Sequence, residues 1–89
     1  MKRVFLTEEF ARDLERMARR GSKPARAHTL ITYIRVNGQA PASADPHKLK
    51  GEWLGHWECH IGFDWLLIYI IEDKRIVLRR TGTHDDLFG

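Results

Sequence analysis

The chain has 89 residues, with 15 Lys or Arg against 12 Asp or Glu, for a formal charge of +3. That length holds one small domain, residues 1–89, with one thin core and no room for a separate cofactor domain. Hydrophobic residues at 43% and charged residues at 30% exclude a disordered chain, and the single cysteine, Cys59, excludes an internal disulfide and a multi-cysteine zinc site.

Residues 2–6 (KRVFL) read as a short strand, with Val4 and Leu6 on one side. Thr7 then offers an N-cap, and Glu8 and Glu9 sit where a helix dipole favours anions. Phe10, Leu14 and Met17, with Ala11 and Ala18 beside them, form the apolar stripe of an amphipathic helix. Arg12, Arg16, Arg19 and Arg20 lie largely off that stripe, and Gly21 can close the helix. Ser22 as cap and Pro24 in the first turn start a second helix through Ala27, Leu30, Ile31 and Ile34, which Asn37-Gly38 ends. The two helices predict an antiparallel hairpin.

Residues 39–50, with Pro41 and Pro46, read as loop. Three strands are predicted after it. Trp57, Cys59 and Ile61 alternate with Glu58, His60 and Gly62, giving one apolar and one polar face. Residues 65–71 are apolar on both faces, as in a central strand. Residues 75–81 form the last strand. The predicted class is α+β, in the order strand-helix-helix-strand-strand-strand, with the helical hairpin packed on a small, mainly antiparallel sheet.

Charge divides unevenly. Residues 1–44 carry nine basic and four acidic side chains, and residues 45–89 carry six and eight. The basic half suggests an electrostatic footprint kept apart from a working site, or simply a solvated arginine-rich face. No P-loop or GxGxxG occurs, which excludes a nucleotide-driven machine. The N-terminus has no apolar signal core, and the longest apolar run is too short to span a bilayer. A soluble cytoplasmic protein with no membrane partner is expected.

Five histidines occur, and imidazole is the side chain that titrates near neutral pH. His28 stands alone in the second helix. His47, His56, His60 and His84 fall in the second half, and Asp64 follows the strand carrying His60. His56 and His60 have zinc-motif spacing, but on a strand that separation is about 13 Å, so no metal site is expected. Two imidazoles and a carboxylate suffice for metal-free RNA cleavage. One histidine takes the 2′-OH proton, the oxygen attacks the adjacent phosphorus, and a second group protonates the leaving 5′-oxygen. Arg79 and Arg80 are candidates to meet the charge on the phosphoryl oxygens.

From His47 the chain reads HKLKGEWLGHWECHIGFDWLLIYIIEDKRIVLRRTGTHDDLFG. A His precedes Leu49-Lys50-Gly51-Glu52-Trp53-Leu54-Gly55. His60 follows, then Asp64-Trp65-Leu66-Leu67-Ile68-Tyr69, then Arg80-Thr81-Gly82-Thr83-His84, then Leu87-Phe88. This ordered set resembles the C-terminal half of the YafQ-type toxins, in the RelE/ParE superfamily of bacterial toxin–antitoxin systems. The first half matches only in its strand–helix–helix plan.

The resemblance implies a RelE-like fold and a ribosome-dependent mRNA endonuclease that cuts the codon in the A site without a metal or other cofactor. It implies a cognate antitoxin, the translating ribosome with its ribosomal RNA, and mRNA as partners. It makes His47, His60, Asp64, His84 and Phe88 the catalytic set. His84 would transfer a proton directly, Asp64 would orient a histidine, and His47 and His60 would hold the phosphate and share acid–base work. Phe88 could stack on an exposed base or anchor the C-terminus in the core. Arg79 and Arg80, and Arg12, Arg16, Arg19 and Arg20 of the first helix, would contact RNA phosphates. Trp53, Trp57 and Trp65 are read as packing residues. Three departures stand out. Gly62-Phe63 replaces a pairing that commonly has proline beside the aspartate, His56 is an extra histidine, and Asp85 adds negative charge beside His84, which is expected to raise its pKa or repel the phosphate. Two other readings stay open: a gyrase-inhibiting toxin on the same fold, and a catalytically silent RNA- or antitoxin-binding module.

Overall fold

A computed structural model describes residues 1–89, in the order β1 (Arg3–Leu6), α1 (Glu8–Arg19), α2 (Pro24–Asn37), β2 (His47–Lys48), β3 (Trp57–Gly62), β4 (Trp65–Ile71), β5 (Arg75–Gly82) and α3 (His84–Phe88). The strands form one five-stranded sheet in the order β1-β5-β4-β3-β2. Only β1 and β5 pair in parallel, and the other neighbours are antiparallel. The chain is thus α+β with a mainly antiparallel sheet, as its apolar periodicities predict.

Local chemistry sets the helix ends. The Thr7 hydroxyl accepts the Phe10 N–H at 3.0 Å and caps α1. At the other end Ser22 N–H donates to the Met17 carbonyl and Gly21 N–H to the Ala18 carbonyl, each at 3.0 Å. This Schellman closure needs a left-handed residue, and Gly21 supplies it at φ +100°. The N-cap of α2 is Lys23 rather than Ser22, and its side chain makes no capping bond. Ser22 is consumed in closing α1, and Pro24 carries the start of α2 alone. The start of α2 lies by β3, where Arg26 donates to the Ile61 carbonyl, and its end lies by the N-terminus, where Arg35 donates to the Lys2 carbonyl. The start of α1 lies by Leu78 and its end by Asp86, so the helices run in opposite directions.

The core lies between these helices and one face of the sheet. Phe10, Met17, Ala27 and Ile34 from the helices pack with Cys59, Trp65, Leu67, Tyr69, Ile76 and Leu78 from the strands. Trp65 is buried, and its Nε1–H donates to the Thr81 hydroxyl at 2.9 Å. Trp57 packs against the same core, and Trp53 is half-buried. Burial pushes the Cys59 thiol up to about 12, so it is no nucleophile at neutral pH.

Four further features differ from the sequence reading. Residues 39–50 are not all loop. Ala42–Ala44 form a 3₁₀ turn, and β2 pairs His47 with Glu58 and Lys48 with Trp57. The C-terminus is helical. Thr83 and Asp86 form a reciprocal capping box that starts α3. Glu58, on the face read as polar, is 5% exposed, set between the middle strand and His47. In α1, Ala11 and Ala18 are exposed while Asp13 is buried.

Asp13 is buried because β1 stops short. β1 pairs with β5 only as far as Leu78, so the rest of β5 presents a free edge to α1. Asp13 Oδ2 accepts the Thr81 N–H at 3.1 Å and Arg80 Nε at 2.6 Å. Asp13 Oδ1 accepts Arg80 Nη2 at 3.2 Å and Arg16 Nη2 at 2.8 Å. Burial pushes the Asp13 carboxyl up. The bonds from Arg80, Thr81 and Arg16 outweigh it and hold the group below the usual carboxylate value.

Removing the carboxylate leaves the half-buried Arg80 guanidinium and the fully buried Thr81 N–H without this partner. Asp13→Ala is expected to lower stability by about 3 kcal/mol in urea unfolding. The matching fall in Tm is more than about 10 °C. Folding depresses this carboxyl, so the unfolded chain binds the proton more readily. The stabilisation is full above the ordinary Asp value of about 3.9 and is lost as pH falls through the lowered native value. Acid titration of stability is therefore expected to be shallower for Asp13→Ala than for the parent chain.

Candidate active site

β4 is the middle strand, and its outer side chains floor the face of the sheet away from the helices. Leu66 and Ile68 are fully buried there, on the opposite side from Leu67 and Tyr69. The register sets His60 and Gly82 on either side of Leu66, and Glu58 and Arg80 on either side of Ile68. An apolar floor is thus flanked by an imidazole, a carboxylate and a guanidinium. Leu78 pairs with Tyr69 and Arg80 with Ile68, so β5 bulges at Arg79. A bulge re-aims the residues beside it.

His47 stands at the outer edge of this face. Its Nε2 lies 3.2 Å from Glu58 Oε1, and its Nδ1 lies 3.1 Å from the Asp45 carbonyl oxygen. Both ring nitrogens therefore face oxygen atoms that can accept a hydrogen bond.

The other end of the face is built by the β3–β4 turn and α3. Asp64 takes a left-handed conformation in that turn, at φ +47°. Its Oδ1 accepts the His84 backbone N–H at 3.0 Å and lies 3.3 Å from His84 Nδ1. The backbone bond, aided by the imidazole, holds the exposed Asp64 carboxyl below its usual value. A carboxylate beside Nδ1 selects the tautomer with its proton there and leaves Nε2 open. Phe88, half-exposed, sits with its ring centroid 6.1 Å from that of His84. Asp64, His84 and Phe88 are thus drawn together. His60 lies in the sheet row that ends at Gly82, two residues before His84, and His47 lies on the far edge strand.

Two contacts hold α3 in place. Arg20 makes a two-pronged bond to Asp86, at 2.7 and 3.1 Å. It holds the Asp86 carboxyl far below the usual range, helped by the Thr83 backbone and hydroxyl. Gly82 allows the close approach, since a Cβ there would come within 2.9 Å of Asp86.

The arginines divide into two groups. Arg16 and Arg80 are tied to Asp13 and Arg20 to Asp86. Arg12 has only a loose 3.8 Å approach to Glu8, Arg19 is exposed, and Arg79 is half-buried. His28 is exposed on α2. His56 belongs to the loop before β3. Its Nδ1 lies 3.2 Å from the Trp53 carbonyl oxygen, and its ring is edge-on to the Trp53 ring. No three His, Cys, Asp or Glu side chains are grouped to hold a metal ion. No helix is long and apolar enough to cross a membrane. Glu58 is the site residue that sequence reasoning missed; its alternation with Cys59 put it on the right face, but only the register with His47 gives it a partner.

This arrangement has relatives. The profile of the family described as the bacterial toxin of type II toxin-antitoxin system, YafQ, matches residues 2–89. The mRNA interferase toxin YafQ of Escherichia coli K12 is 34% identical over 83 residues, spanning 91% of this chain and 89% of the relative. The crystal structure of YafQ from E. coli BL21(DE3) superposes with a TM-score of 0.89 at 30% identity, covering 100% of both chains. The toxin in the E. coli DinJ-YafQ complex gives 0.87 at 31% identity, again covering 100% of both. Fold and site thus define a toxin of a bacterial type II toxin–antitoxin system. Within that class, the chain belongs to the YafQ family.

Gly82→Ala forces a methyl group against Asp86. It is expected to lower stability by about 1–3 kcal/mol. It is also expected to part His84 from Asp64, seen as a shift of the His84 amide and imidazole signals in NMR spectra.

Proposed function

We propose that this chain is an endoribonuclease that cuts mRNA in the A site of the translating ribosome, with a cognate antitoxin as its inhibitor. The mRNA interferase name of its E. coli relative supports the activity, and the DinJ-YafQ complex supports the antitoxin. The observation that carries the mechanism is the Asp64–His84 pair. Asp64 fixes both the backbone and Nδ1 of His84, and Nε2 remains open toward substrate.

In this reading His84 Nε2 exchanges a proton directly with the reacting RNA. The 2′-oxygen loses its proton and bonds to the adjacent phosphorus, and the bond to the 5′-oxygen breaks as that oxygen gains a proton. The product is a 2′,3′-cyclic phosphate and a 5′-hydroxyl end. His47, held by Glu58 and Asp45, helps hold the phosphate, and His60 shares the acid–base work beside the apolar floor. That floor keeps the local dielectric low and strengthens each charge interaction. Phe88 stacks on an unpaired base.

The arginines serve two ends. Arg16, Arg20 and Arg80 hold the frame, while Arg12, Arg19 and Arg79 keep charge for RNA phosphates. Arg80 keeps a bridging part in this reading: two of its nitrogens hold Asp13, and its third is left for the phosphoryl oxygens.

His84→Ala is expected to cut by about 100- to 10,000-fold less while its melting curve matches the parent. Primer extension on mRNA after induction checks this, with end-group analysis for the cyclic phosphate. A folded His84→Ala chain that cuts at the parent rate would falsify the mechanism.

A further inference from the structure

The β3–β4 turn carries an aromatic side chain that the fold does not use. Phe63, at its tip, is fully exposed. It precedes Asp64, the residue that holds His84. The residue before it, Gly62, receives the Arg26 guanidinium. A Cβ at position 62 would lie 3.0 Å from both Arg26 terminal nitrogens. Arg26 Nη2 also donates to the Ile61 carbonyl at 3.2 Å. The guanidinium is thereby fixed at the base of the turn while the side chain stays exposed.

Lys23, Arg26 and Arg20 line one cleft with Phe63, Asp64 and Thr83, a space of roughly 680 Å³. Asp86 neutralises Arg20. The ion pairs of the structure take neither Lys23 nor Arg26. The cleft therefore joins one exposed aromatic ring, two unpaired cations and the rim of the catalytic pair. A protein partner's apolar face would meet a single ring among charges there. An unpaired nucleotide finds a stacking surface and a phosphate counter-charge, the two elements of single-strand recognition.

The geometry points to Phe63, Lys23 and Arg26 as a second nucleotide-binding platform, in which the ring stacks on an unpaired mRNA base next to the scissile phosphate and the two cations take the neighbouring phosphate. This rests on the endonuclease reading and adds to it a positioning site for the substrate strand.

The test is single-turnover cleavage of a defined mRNA on programmed ribosomes, followed against toxin concentration. Phe63→Ala is expected to raise the half-saturating concentration by roughly 5- to 100-fold. Its rate at saturation and its melting curve are expected to match the parent, and Phe63→Trp is expected to restore tight binding. The Lys23→Ala, Arg26→Ala double variant is expected to weaken binding and to flatten its salt dependence. Unchanged half-saturation for Phe63→Ala in a parent chain that cuts normally overturns the platform alone. A parent chain that cuts no mRNA overturns the endonuclease reading and the platform with it. Loss of antitoxin binding by Phe63→Ala, with cleavage unchanged, assigns the turn to the partner protein and also overturns the proposal.

Discussion

Four residues of β5 run past the end of β1, and the Asp13 carboxylate closes their open edge. Strand edges need partners for their N–H groups, and a helix has none of its own to offer sideways. An acidic side chain on α1 answers that need. Its ionised oxygens then require donors, which Arg80, Arg16 and the Thr81 N–H supply. The bond network fixes the distance of α1 from the sheet. It also sets the path of β5 into Gly82, Thr83 and the first residue of α3, which is His84. A group buried for structural reasons thus decides where the imidazole stands.

The same division runs through the rest of the charges. Carboxylates of the frame, Asp13 and Asp86, are buried or half-buried and hold arginines. Carboxylates of the site, Glu58 and Asp64, lie against histidines. The net charge of +3 hides this order, because much of the basic first helix is spent on internal contacts. The cations outside these frame ion pairs, Arg12 and Arg19 on α1, Lys23 and Arg26 at the start of α2 and Arg79 on β5, are scattered rather than gathered into a continuous arginine face.

Much of the fold was legible because it rests on periodicity. The stripe of Phe10, Leu14 and Met17, and the apolar run from Trp65 to Ile71, each have one good solution in a chain this short. The parts that were not legible depend on partners far along the chain. Asp13 reads as a solvated helix residue until Thr81, 68 positions away, is seen to need an acceptor. β2 has only two residues, His47 and Lys48, too few for an alternation to register. α3 is five residues long and announces itself only through its Thr83–Asp86 capping box. A candidate set could be named from the ordered histidines and Asp64, but not its contacts, since Asp64 and His84 are 20 residues apart and meet through a turn.

Gly82, Asp86 and Arg20 tie three elements through one close contact. A larger residue at position 82 demands a smaller one at 86, and a smaller one at 86 strands the guanidinium at 20. None of the three can drift alone without loosening the helix that starts with His84. Mutational paths through this corner of the molecule are therefore narrow. Sequence change is channelled instead into the solvent-facing helix positions, where a substitution severs nothing.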